Sequence, residues 1–125
     1  RLLISAGIDA NLPLKIILSG QESLNVQLKR ASLADLVNLI SVRYHIKPLT
    51  REQTVAYIDH RLRHADTNDK LITQEAKSLI HDYAGGVPRQ INNIATACLI
   101  HAASKNITGI DESIVNETMA EFQLP

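Results

Sequence analysis

From Thr50 onward the apolar residues of this chain recur at intervals of three and four. That is the period of a helix, and it gives a strand no single face to bury. Val55, Ile58 and Leu62 form one stripe, and Ala76, Leu79, Ile80 and Tyr83 a second. Ile91, Ile94, Ala95, Cys98 and Leu99 form a third, and Ile114, Val115 and Met119 a fourth. The residues between the stripes agree. Thr50 and Gln53 have the capping-box spacing, and Thr73 and Asp111 stand where helices want an N-cap. "HADTNDK" reads as a polar loop. Gly85 and Gly86 suit a left-handed helix end, and Pro88 suits the first position of the next helix. The spacing predicts four helices packed as a bundle.

The residues before Pro48 read differently. Arg1 to Ala6 reads as a helix tail ended by Gly7. "LKIILSG" (14 to 20) is a short apolar run, the pattern of a strand buried on both faces of a parallel sheet. Gln21 to Lys29 reads as a helix with Leu24 and Leu28 on one face. Ser32 can cap a further helix on which Leu33, Leu36, Val37 and Ile40 share a face. "VRYHI" (42 to 46) alternates and predicts a second short strand, ended by Pro48. The expected fold class is therefore mostly α. Residues 1–48 read as the C-terminal end of an α/β core with one or two short parallel strands, and residues 49–125 as a four-helix bundle.

Composition narrows the function classes. The chain has 125 residues, with no Trp, one Phe and three Tyr, so its core is aliphatic and suits packed helices. Thirteen basic and thirteen acidic residues balance, so no global field draws it to nucleic acid or acidic membranes. The single cysteine, Cys98, excludes an internal disulfide and fits a reducing compartment. No apolar run has the length to span a bilayer. The chain opens on Arg1 in the middle of a helix-like pattern, which reads as a piece of a longer protein.

One stretch stands apart, "AGGVPRQINN" (84 to 93). It is an ordinary tight corner between helices, and an arginine on a first helical turn is ordinarily solvated. Yet a helix N-terminus carries partial positive charge, which disfavours Arg89 there by a few tenths of a kcal/mol. A cation at that place makes sense where an anion comes near, since helix starts and guanidinium forks both suit phosphate. Pro88 would launch the side chain from a rigid backbone.

Gly-x-Pro-Arg opening the third helix of a bundle resembles the sensor-two motif of AAA+ ATPases. "IILSGQESL", "VRYHIKPLTREQTVAYIDHRLRHA" and "LIHDYAGGVPRQINNIATACLIHAA" resemble, in order, segments of the general secretion pathway protein A family. The resemblance spans roughly residues 1 to 122, and transposon helper ATPases are close relatives. It implies a sensor and lid portion of an enzyme that binds ATP and Mg in its full-length form, with neither expected as a bound cofactor of this piece. Arg89, behind Pro88, would reach the phosphates from the lid. Ser19, or Gln21, would lie at a strand end and orient water or touch the γ-phosphate; the same residues also suit the start of a turn. The family's finger arginine falls on Leu39 here, and Arg43 is the nearby substitute, or an ordinary ion-pair partner. The chain has no Gly-x4-Gly-Lys-Ser/Thr and no strand ending in Asp-Glu, so it is not expected to hydrolyse ATP alone. The resemblance further implies a cytoplasmic protein that assembles with its own copies and serves a membrane partner of a secretion system. The alternatives are a transposition helper acting on DNA and a non-catalytic helical interaction module.

Other groupings are weaker. His60 and His64 share a helix face, but Arg61 and Arg63 lie between them and structural zinc wants four ligands. Cys98 and His101 share a face, with Cys98 on the apolar stripe as a small core residue. Arg51, Arg61, Arg63 and His64 make a basic side, interleaved with Asp59, Asp66 and Asp69, which reads as a mixed solvated face.

Overall fold

The computed structural model describes residues 16–122. The helix tail expected at Arg1–Ala6, and Leu14 and Lys15 of the first expected strand, lie outside them. The chain divides into two compact units, Arg1–His45 and Ile46–Pro125.

In the first unit the described chain holds two short helices, α1 (Glu22–Leu28) and α2 (Ala34–Asn38), with a 3-10 turn at Ala31–Leu33 between them. Leu24 and Leu28, and Leu33, Leu36, Val37 and Ile40, are half-buried as their spacing predicts. Ser32 is not the cap: it lies inside the 3-10 turn, and Leu33 takes the N-cap position without a side-chain bond. Neither strand is formed among the described residues. Residues 16–20 and 42–46 run as irregular chain, and Ile17, Val42, Tyr44 and Ile46 are more than four-fifths exposed. The reason is physical: a strand is completed by hydrogen bonds to a neighbouring strand, and the described residues supply none. The mostly helical fold class holds without them.

The second unit is built from α3 (Arg51–His64), α4 (Gln74–Ala84), α5 (Pro88–Ser104) and α6 (Glu112–Phe122). Each start has a local cause. Thr50 accepts from Gln53 N–H while the Gln53 side chain accepts from Thr50 N–H, a complete capping box. Thr73 accepts from Ala76 N–H at 3.2 Å, and Asp111 from Ile114 N–H at 3.0 Å. The helices then bury one aliphatic core: Ile58 and Leu62 from α3, Ala76, Ile80 and Ala84 from α4, Ile91, Ile94, Cys98 and Ala102 from α5, Ile114 and Val115 from α6. Each fully buried isoleucine contributes about 1.5–3 kcal/mol relative to exposure. A single parallel bridge, Ile72 to Ile110, clasps the approaches to α4 and α6: Ile110 N–H donates to Leu71 O at 2.8 Å, and Thr73 N–H to Ile110 O at 3.0 Å.

Two stripe residues are misplaced by periodicity. Tyr83 and Leu99, expected inside, are 45% and 38% exposed. Four polar residues, Thr54, Lys77, His101 and Thr118, are buried instead. Each has a partner. Thr54 Oγ1 lies 2.9 Å from His81 Nδ1, Lys77 Nζ lies 2.6 Å from Asp59 Oδ1, His101 Nδ1 lies 3.1 Å from Glu121, and Thr118 donates to Ile114 O at 2.6 Å.

Candidate functional site

The corner between α4 and α5 is assembled by backbone geometry that few sequences permit. Gly85 sits at φ +59° and donates its N–H to His81 O at 2.9 Å, ending α4. Gly86 follows at φ +72° and is buried. Val87 is the N-cap of α5 and donates to Ala84 O at 3.2 Å, while its own carbonyl accepts from Ile91 N–H at 3.0 Å. Pro88 is the first helical residue, and it has no N–H to waste at a helix start.

This start is electropositive and unanswered. No side chain caps it, and its first turn holds no acidic residue. Arg89 is exposed there, and among the described residues it has no hydrogen bond and no ion pair. A seventeen-residue helix thus presents its N-terminal amides beside a free guanidinium. Both favour an anion, and the fork of the guanidinium suits phosphate oxygens.

The other sequence-selected residues belong to the first unit. Ser19 is exposed on irregular chain, so the strand end that was to aim it is not formed among the described residues. Gln21 is the N-cap residue of α1, but its side chain makes no capping bond. Arg43 is exposed and donates from Nη2 to Val37 O at 3.3 Å rather than pairing with a carboxylate. It borders an open cleft of about 520 Å³ with Lys29, Arg30, Asn25 and Asn38. Ser19, Gln21 and Arg43 are thus held in one unit, and Pro88 and Arg89 in the other.

His60 and His64 stack, with ring centroids 6.3 Å apart and planes 15° from parallel. Cys98 is fully buried, and burial pushes its thiol above the ordinary value, as for an inert core residue. Among the described residues no cluster of three or more metal-binding side chains forms. The magnesium implied by the resemblance has no fitting ligand set among them, and no step is assigned through it.

A polar hub on the α5–α6 seam was not legible in the sequence. Glu117 accepts from Lys105 Nζ at 2.6 Å, from Ser113 at 3.2 Å, and lies 3.4 Å from His101 Nε2. The Lys105 bond first, then the His101 bond, hold its carboxyl below the ordinary 4.5. A depressed carboxylate contributes stability that is complete above the unfolded value and is lost as pH falls through the folded one. Wild-type thermal stability therefore drops as pH is lowered below about 4.5, and Glu117→Gln flattens that part of the profile. An unchanged slope in the variant would remove Glu117 as a source of the acid sensitivity.

The arrangement defines a class: a small helical unit whose third helix opens on Gly-Gly-Val-Pro-Arg with an uncapped, cationic start. Much of the chain is similar in sequence to part of a known protein. It is 34% identical over 105 residues to general secretion pathway protein A of Aeromonas hydrophila. The match covers 84% of this chain and 19% of the length of that protein. The likeness to this family read from the sequence is therefore shown. No family model matches the chain, and no solved structure does. No helix among the described residues is long and apolar enough to cross a membrane.

Proposed function

We propose that this chain supplies sensor and lid residues to ATP turnover in a longer, cytoplasmic AAA+ ATPase of the general secretion pathway protein A type. Arg89 binds the phosphates, aided by the bare amides that begin α5. The observation that carries the reading is the state of Arg89: exposed, unpaired among the described residues, and fixed behind Pro88 on an uncapped helix start. In this reading the phosphate loop and the magnesium ligands come from chain outside these 125 residues, whose sequence has no Gly-x4-Gly-Lys-Ser/Thr. Ser19 and Gln21 would face the γ-phosphate and Arg43 the phosphates of a neighbouring copy once the protein assembles with itself. The work of hydrolysis would go to a membrane partner of the secretion system.

The test is a titration of the chain with ATP, with AMP as the short-phosphate control, followed through the amide signals of Arg89 and Gln90. ATP shifts them and AMP does so far less. Arg89→Ala weakens ATP by at least about tenfold, the worth of one charge-assisted contact. Arg89→Lys recovers part of the loss, because an ammonium keeps the charge but not the fork. Equal ATP affinity in wild type and Arg89→Ala would sink the reading.

A further inference from the structure

The two glycines before Arg89 are not equivalent. At Gly85 an added Cβ would meet nothing within 4 Å, so only its positive φ resists substitution. At Gly86 the same atom would stand 2.1 Å from Leu49 O and 3.0 Å from Leu49 N. The backbone of Leu49 lies directly against it, and Leu49 N–H donates to Gly86 O at 2.8 Å. The Leu49 side chain packs on the helical core, which holds the contact from the other side.

The position of this clasp in the chain gives it a function. Leu49 stands immediately before the capping box of α3, and the division between the two units falls just upstream, at His45–Ile46. On the other side, only Val87 and Pro88 separate the clasped carbonyl of Gly86 from Arg89. Proline has a fixed φ, and Val87 is held at both its N–H and its carbonyl. The path from Leu49 to the guanidinium therefore contains little freedom to absorb a movement.

We propose that the Leu49–Gly86 clasp is a positioning device, which links polyphosphate binding at Arg89 to the placing of the segment Ile46–Leu49. It rests on the reading of Arg89 as a phosphate ligand and adds the route by which occupancy is passed along the chain. By linkage the coupling is reciprocal: whatever loosens the clasp weakens the anion, and the anion tightens the clasp.

Inorganic tripolyphosphate is the probe, added to the 125-residue chain. Hydrogen exchange of Leu49 N–H is measured against Ile80 N–H, which lies in the core and reports overall stability. At saturating tripolyphosphate the Leu49 amide slows at least about threefold more than that of Ile80. Gly86→Ala weakens tripolyphosphate by about tenfold while Gly85→Ala stays within about twofold, each compared well below its own unfolding midpoint. Should Gly86→Ala not fold, the wild-type exchange comparison decides alone. Shifts at Arg89 and Gln90 with Leu49 moving only in step with Ile80 would overturn the clasp and leave the phosphate reading standing. No shift at Arg89, and no effect of Arg89→Ala on tripolyphosphate, would overturn both.

Discussion

Ile94→Ala lowers the unfolding free energy of the helical unit by about 3–4 kcal/mol. Ile94 is fully buried on α5, which packs against both α4 and α6. Removing three carbons there forfeits their transfer free energy and leaves a void lined by side chains from several helices. None of these can close it without moving a whole helix. A domain of this size has about 5–15 kcal/mol in total, so the variant sits near the threshold of folding. The control lies on the same helix. Ile100 is 60% exposed, and Ile100→Ala makes the same chemical change with the same gain in helix propensity. It shifts stability by no more than about 0.5 kcal/mol, the usual range for a surface site. Urea midpoints of the two variants against wild type measure the difference. If both fall equally, the placing of the core is wrong.

Local rules carried most of the helical unit. A capping box, a threonine cap, an aspartate cap and a left-handed glycine depend only on residues within one turn, and all four stand where the sequence puts them. Periodicity was weaker at the edge of each stripe. It fixes the angle at which Tyr83 and Leu99 leave their helices, but not how far the neighbouring helix extends to cover them. Tyr83 ends half in solvent, with its hydroxyl donating to Asn116 on α6 at 3.0 Å. The buried polar residues were illegible for the same reason. Nothing near Lys77 or His101 in sequence announces partners on other elements. Residues 16–20 and 42–46, where strands were expected, lack among the described residues the most nonlocal requirement of all, a second strand.

The candidate site divides along the same line. Gly-Gly-Val-Pro-Arg states a helix end, a helix start and a cation within five residues, and the exposed, uncapped start of α5 follows from it. The approach of Leu49 to Gly86 does not, because it joins two loops separated by α3 and α4. Gly85 and Gly86 read alike as a left-handed helix end, whereas in the fold only Gly85 has room for a side chain.

Asp59→Leu costs about 3 kcal/mol, the low end for breaking a buried ion pair. The Lys77 side chain is 5% exposed, so removal of Asp59 leaves its ammonium with the Asp69 carbonyl at 2.9 Å as its remaining partner. Lys77→Met costs less, about 1 kcal/mol, because the carboxylate left behind is 22% exposed and water can reach it. The asymmetry follows from which charge is stranded. The double variant Asp59→Leu with Lys77→Met removes both charges and keeps apolar volume, and it returns to within about 1 kcal/mol of wild type. Additive losses in that cycle would mean that the two charges do not interact. The pair joins α3 to α4, which the contact of Thr54 with His81 also links at 2.9 Å. Asp82, one turn from the end of α4, takes a two-pronged contact from Arg51 at the start of α3. Together they fix the register of α3 on α4. That register sets how the segment entering α3 at Leu49 meets the glycines leaving α4, so the buried charges, which add little net stability, hold the corner that aims Arg89.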